Sequence, residues 1–217
     1  MSQRLQGLSH EDATGVAGEV FAASDKLLGR TSNLVRILSN HSPYIARWFL
    51  GLVATVRQPD LGATSDARLR SLVNIKTSMI NACAYCTAHI STFGQGFGIG
   101  EAECAALDGD AYKTSPLFSD KEKAVVAWAE AMTCNAARTD KAVWGEHKRH
   151  CADAETVEMS MACAMFNMIN RLNDSFWTDL ETPEYNMKQL NALRDVSIDD
   201  AEAFSGRFAP AGQAERG

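Results

Sequence analysis

Between Asn81 and Gly98 the chain reads NACAYCTAHISTFGQGFG, which places Cys83 and Cys86 three residues apart and His89 three beyond the second cysteine. A C-x-x-C pair at a helix start brings two sulfurs within reach of each other, where unpaired backbone N–H groups and the positive end of the helix dipole favour thiolate over thiol. His89 falls about one helical turn after Cys86, so its imidazole is expected to exchange a proton with the Cys86 sulfur. A thiolate, a base and a second thiol are the minimum apparatus for dithiol redox chemistry.

Two other readings compete. CAYCTAH offers three zinc ligands, and HKRHC adds His147, His150 or Cys151, but roughly 60 residues separate the two groups, unlike the paired knuckles of closed zinc sites. Two buried thiols beside a satisfied core histidine are the plainer account, since cysteine is among the most buried residue types. The remaining cysteines, at 104, 134, 151 and 163, are scattered singly among apolar residues and read as small buried hydrophobes. His147 and His150 stand in a charged segment and read as a solvated face.

The elements that must hold these groups are helical. Strand-like alternation of β-branched residues is absent, and stop and start signals follow one another at helical lengths, so the fold is predicted to be all-α, a single helical domain. Ser9 is placed to cap a first helix to about Leu28, and Ser42 a second with Pro43 at its first position. A third helix starts near Ser65 and carries an apolar face of Leu69, Leu72, Val73, Ile75, Met79 and Ile80 into the cysteine pair. Asn81 allows a break, after which Cys86, His89, Ile90, Phe93 and Phe97 share one side of a fresh helix. GQGFGIG follows that helix and not a strand, and has no lysine after it, so it reads as a helix exit instead of a phosphate loop. Ser119 and Glu122 form a capping box. A long helix then shows Val157, Met161, Ala164, Met165, Met168, Leu172 and Phe176 on an expected core face, beside a polar stripe of Asn167, Asn170, Arg171 and Asp174.

CAYCTAH, preceded by RLRSLVNIKTSMINA and followed by GFGIGEAE, resembles the carboxymuconolactone decarboxylase and alkyl hydroperoxidase D-like superfamily, in particular its peroxidase-related branch. FSDKEKAVVAWAEAMT and FNMINRLNDSFWTDLE resemble the second half of the same domain. The resemblance spans residues 33–181, with 1–32 as an N-terminal helical extension and 182–217 as a C-terminal extension ending in a frayed tail. It implies a helical bundle that assembles as trimers or hexamers, with Cys86 as nucleophile, Cys83 as resolving thiol and His89 as relay base. The helix-terminus argument by itself favours activation of Cys83. A relay glutamate is common in the superfamily twelve residues before the first cysteine, where this chain has Ser71, a side chain that is no carboxylate base; Glu101 or Glu103 is the candidate replacement.

The resemblance thus implies a thiol-dependent peroxidase-like oxidoreductase that reduces a hydroperoxide and is regenerated by an external dithiol reductant, without cofactor or metal. The alternative enzymatic reading is a cofactor-free decarboxylase, lyase or isomerase acting on a small aromatic-derived acid, with Arg171 holding the carboxylate and Asn167 or Asn170 orienting the substrate. The non-enzymatic alternative is a helical oligomer or zinc-stabilised module. Tyr85, between the cysteines, and Trp177 are candidates for shaping the pocket. Acidic residues outnumber basic ones 27 to 21, a formal charge of −6 that opposes nucleic-acid binding. The amino terminus lacks a secretory apolar segment and IARWFLGLVATV is too short to span a bilayer, so no membrane association and a cytoplasmic location are expected.

Overall fold

A computed structural model describes residues 3–58 and 61–182, together with residues 196, 197, 199, 200 and 204. Among the described residues the elements are helices: α1 (Gly15–Leu28), α2 (Asn33–His41), α3 (Pro43–Arg57), α4 (Ala67–Ile80), α5 (Ala84–Gln95), α6 (Glu101–Leu107), α7 (Asp120–Thr133), α8 (Lys141–His150) and α9 (Asp153–Phe176). None of them is long and apolar enough to cross a membrane. Most of the expected C-terminal tail lies outside the described residues.

The centre of the bundle is α4, which packs against α5, α7 and α9. Nearly every one of its side chains is buried, the polar ones included. Burial of a cation requires partners, and they are present. Arg70 donates to the carbonyls of Val56 (2.8 Å) and Gln58 (3.0 Å), fastening the end of α3, and Lys76 Nζ donates to the carbonyls of Leu107 (3.1 Å) and Gly109 (2.6 Å). The expected apolar face is therefore one side of a helix buried all round.

Several predicted boundaries are observed for the predicted reasons. In α7 the Ser119 backbone N–H donates to Glu122 at 2.7 Å while Ser119 Oγ accepts from the Glu122 N–H at 3.3 Å. Gly98, at φ +75°, ends the exit from α5 in a conformation that glycine adopts freely. The first helix departs from expectation. Ser9 instead closes a local turn, accepting from the Asp12 N–H at 3.1 Å, and α1 starts only at Gly15, whose φ of +53° interrupts helical propagation. Residues 33–57 form two helices, because Pro43 holds Ser42 out of the helical region (φ −155°) and starts α3 afresh.

The long helix α9 turns a different face inward than its apolar periodicity suggests. Met159, Ala162, Cys163, Phe166, Ile169, Asn170 and Asn173 are buried, whereas Val157, Met161, Ala164 and Met168 of the expected core stripe are exposed. Part of the polar stripe is inside because α5 presents polar groups to it.

Candidate active site

The break between α4 and α5 is made by Asn81 and Ala82. Asn81 Nδ2 donates to Asn167 Oδ1 (3.1 Å) and Asn170 Oδ1 (2.8 Å) on α9, and Ala82 takes a left-handed φ of +52°, strained for a residue with a Cβ. Cys83 follows in extended conformation as the N-cap of α5, its sulfur accepting from the Cys86 N–H at 3.3 Å. Cys83 is thus a capping side chain, and Cys86 sits within the first turn, facing α9.

Both sulfurs are buried, and no disulfide joins them. Asn173 Nδ2 donates to Cys86 Sγ at 3.3 Å from across the helix interface. The Cys83 thiol is the strongest influence holding the Cys86 thiol below its ordinary pKa; burial opposes it, and the amides of Asn170 and Asn173 add to it. Cys83 shifts the opposite way, kept protonated by its hydrogen bond to Cys86 and by burial. The two shifts run against the helix-terminus expectation, which favours Cys83: the Cys86 thiol is the one lowered and the Cys83 thiol the one raised.

His89 lies on the same face of α5 as Cys86, yet the hydrogen-bond partners of Cys86 are the other cysteine and the asparagines. The expected direct imidazole–thiol contact is replaced by a separate cluster. Arg30 Nη2 donates to His89 Nδ1, and His89 Nε2 lies 2.5 Å from Glu181 Oε2. Since a guanidinium can only donate, Nδ1 is the accepting nitrogen and the proton of the neutral ring sits on Nε2. Burial above all, then Arg30, lowers the His89 pKa, against the opposing pull of Glu181. Glu181 is held at about 2: burial would raise it, but the His89 hydrogen bond and the charge of Arg30 outweigh that.

Glu181 Oε1 also accepts from Tyr85 Oη (2.8 Å) and from the Asn33 N–H (2.6 Å) at the start of α2, where a helix favours an anion. Arg30 Nη1 lies 3.4 Å from the same oxygen. Arg30 reaches this place because Gly29 ends α1 at φ +74° and the Arg30 carbonyl is held by Ser24 Oγ at 2.8 Å. The Tyr85 ring stacks on His89 with centroids 4.2 Å apart.

Cys86, His89, Tyr85, Arg30, Arg57 and Asn173 all line one cavity of about 60 Å³. Its other walls are apolar, including Leu34, Phe49, Ile90 and Phe166. Arg57, at the end of α3, lies over the Phe93 ring at 4.0 Å, and burial followed by the charge of Arg30 lowers its pKa to about 9.

Of the predicted site residues, Cys86, His89 and Tyr85 line the cavity, and Cys83 stands directly behind Cys86. Asn170 backs the cysteines, donating to Ser78 Oγ at 3.2 Å. Asn167 joins Asn81 and Thr133 away from the cavity wall, and Arg171 is exposed, donating to Asn167 Oδ1 at 2.9 Å. Trp177 is an exposed, left-handed cap of α9. Neither candidate replacement carboxylate is present at the site: Glu101 is exposed and Glu103 pairs with Arg68. Arg30, Arg57, Asn173 and Glu181 were not predicted.

The second histidine group also differs from expectation. His147 is fully buried and stacks on Trp128 at 5.3 Å, while His150 pairs with Glu146 at 3.1 Å. Cys151 and Cys163 are buried, but Cys134 is exposed and Cys104 partly so. Among the described residues no three histidine, cysteine or acidic side chains are grouped to hold a metal ion.

This bundle, with its central helix running through a sharp break into a cysteine-capped helix, has the alkyl hydroperoxidase D-like fold. No protein-family model matches the chain, and no curated protein matches its sequence. Among solved structures it is similar to the debrominase Bmp8, with a TM-score of 0.71 and 21% identity over 89% of this chain and 99% of that one. A cysteine-to-alanine variant of that debrominase, in complex with 2,3,4-tribromopyrrole, superposes with the same TM-score of 0.71. A peroxidase-related protein with an alkylhydroperoxidase AhpD core from Ralstonia eutropha JMP134 aligns with a TM-score of 0.69 and 16% identity over 86% of this chain and 96% of its own.

Proposed function

We propose that the protein is a thiol-dependent, peroxidase-like oxidoreductase acting on small hydroperoxides through Cys86 and Cys83. The observation that carries this reading is the Cys86 sulfur on the cavity wall, hydrogen-bonded by Asn173 at 3.3 Å and with its pKa lowered first by the Cys83 thiol and then by the amides of Asn170 and Asn173. The Cys86 thiolate attacks the terminal oxygen of ROOH; the S–O bond forms, the O–O bond breaks, and the leaving oxygen departs as RO⁻ and takes up a proton at the cavity wall. Cys86 is then a sulfenic acid and no longer accepts from Cys83, which removes the largest of the influences that kept the Cys83 thiol protonated and leaves burial. The Cys83 sulfur attacks the Cys86 sulfur, the S–S bond forms as the S–O bond breaks, the hydroxide leaves as water with the proton given up by Cys83, and an external dithiol returns two electrons by exchange.

Apolar walls beside one thiolate favour an uncharged organic hydroperoxide with a small body. The test is mass spectrometry of the full chain after one equivalent of tert-butyl hydroperoxide. A Cys83–Cys86 disulfide with release of the alcohol is expected; free thiols at both positions would reject the mechanism, and muconolactone-type turnover surviving alanine at both cysteines would point to decarboxylase or lyase chemistry.

The likeness to a debrominase over nearly the whole chain, together with the apolar cavity, favours a second use of the same dithiol. Reductive removal of bromine from a small ring also needs two electrons: ring–Br and two thiols give ring–H, a disulfide, bromide and a proton. Bromide release from 2,3,4-tribromopyrrole, in step with disulfide formation, would place this reaction above peroxide reduction.

Self-association belongs to the same proposal. Val157 on α9 is 62% exposed, and with Met161 and with Leu52 and Thr55 of α3 it lines one largely apolar surface. Apolar area of this kind on both helices supports assembly of like chains.

A further inference from the structure

We propose that Glu181 is the positioning carboxylate of this site, and that Arg30 alternates between His89 and the leaving oxygen. The inference rests on the peroxidase-like reading for its catalytic consequence and on geometry for its structural part.

Glu181 lies outside the helices, in the segment that follows α9, and several independent contacts fix it. Beyond its bonds to Tyr85, Asn33 and His89, its segment is tied down by Asn33 Nδ2 donating to the Asp179 carbonyl at 2.9 Å and by the Thr178 N–H donating to the Asn173 carbonyl at 3.0 Å. A carboxylate held this firmly against an imidazole nitrogen sets the ring's orientation and tautomer. With the proton on Nε2, which lies 2.5 Å from Glu181 Oε2, the basic lone pair on Nδ1 is covered by Arg30.

Arg30 lines the cavity and has a second place to rest its charge, since its Nη1 already lies 3.4 Å from Glu181 Oε1. When a hydroperoxide oxygen enters, an Arg30 N–H that donates to it no longer covers Nδ1. The freed Nδ1 takes up a proton from bulk solvent, the imidazolium is stabilised by Glu181 at Nε2, and Nδ1–H delivers that proton to RO⁻ as the O–O bond breaks, so that the Cys86 thiolate, ROOH and one H⁺ give the sulfenic acid and ROH. The arrangement matches the orienting acid of a hydrolase triad in logic: the acid stays ionised and steadies the imidazolium. The groups facing His89 are Arg30, Arg57, Glu181, Tyr85 and Cys86; the two arginines oppose imidazolium formation, and Glu181 favours it.

Glu181→Gln keeps an acceptor in place and removes the charge. The full chain carrying it should lose roughly 10- to 100-fold in kcat/KM for tert-butyl hydroperoxide, the loss typical of partners that orient an imidazole. Glu181→Asp should recover part of that loss, and it also serves if the glutamine variant does not fold. Histidine ¹⁵N spectra supply a readout independent of turnover. The wild-type His89 should be neutral with its proton on Nε2, and because Glu181 raises the ring's affinity for a proton, Glu181→Gln should move its titration to lower pH. The acid limb of kcat/KM should move the same way. Unchanged titration and unchanged kcat/KM in Glu181→Gln would overturn the role of Glu181 while leaving dithiol chemistry standing. Absence of a disulfide in peroxide-treated wild type, with the titration shift present, would instead overturn the peroxidase reading alone.

Discussion

At the scale of residues, the two cysteines differ because one is a cap and the other is not. Cys83 spends its lone pair on the Cys86 N–H and its proton on the Cys86 sulfur, so removing it should be felt twice. Cys83→Ala should raise the Cys86 pKa toward that of a free thiol, because the donor with the largest effect is gone, and after peroxide should leave Cys86 as a sulfenic acid trappable by dimedone. Loss of one hydrogen bond to a charged group corresponds to about 1.5–3 kcal/mol. A thiol titration and adduct mass together check both. The motif C-x-x-C with its histidine was legible because its spacing is local. Asn173, Arg30 and Glu181 were not, because they meet the motif across long separations, 87 residues for Asn173 to Cys86 and 59 for Arg30 to His89. A single sequence carries no spacing rule over such distances; the buried asparagine in FNMINRLNDSF was the nearest available signal.

At the scale of elements, helices were legible wherever capping chemistry and periodicity agreed, as in α7 and in the break at Asn81. They were misplaced where one signal stood alone. Ser9 has the side chain of a cap but meets a left-handed Gly15 before a helix can propagate, and the methionine-rich stripe of α9 has the period of a core face without being one. The inward face of α9 is set by the amides that meet Cys86 on α5 and Asn81 in the break before it. The α4–α5 seam is correspondingly tight: a Cβ at Gly94 would lie 3.1 Å from Ile75 Cδ1 and 3.2 Å from Ile99 Cδ1. Gly94→Ala should therefore destabilise the fold by about 1–3 kcal/mol through overpacking. Chemical denaturation would show this as a lower midpoint with an unchanged slope.

At the scale of the whole molecule, the fold and the all-α class follow from the sequence pattern, while the apolar stripe exposed on α9 is the surface that the proposed self-association would bury. Sedimentation of the 23.6 kDa chain should show a particle several times larger, and Met161→Glu, which puts a charge on that stripe, should shift it toward the monomer without unfolding it. Segments from opposite ends of the chain converge here: the turn after α1 brings Arg30, the end of α3 brings Arg57 and α5 brings Cys86 and His89 to one cavity, and the segment after α9 brings Glu181 against His89. On the proposed reading that arrangement serves a sulfur anion at position 86. The most direct test is the pH dependence of iodoacetamide alkylation at Cys86, read peptide by peptide in the intact protein. The account predicts a midpoint below the ~8.5 of free cysteine, with Cys83 unreactive over the same range; a Cys86 midpoint at or above that of free cysteine, or faster alkylation of Cys83, would contradict it.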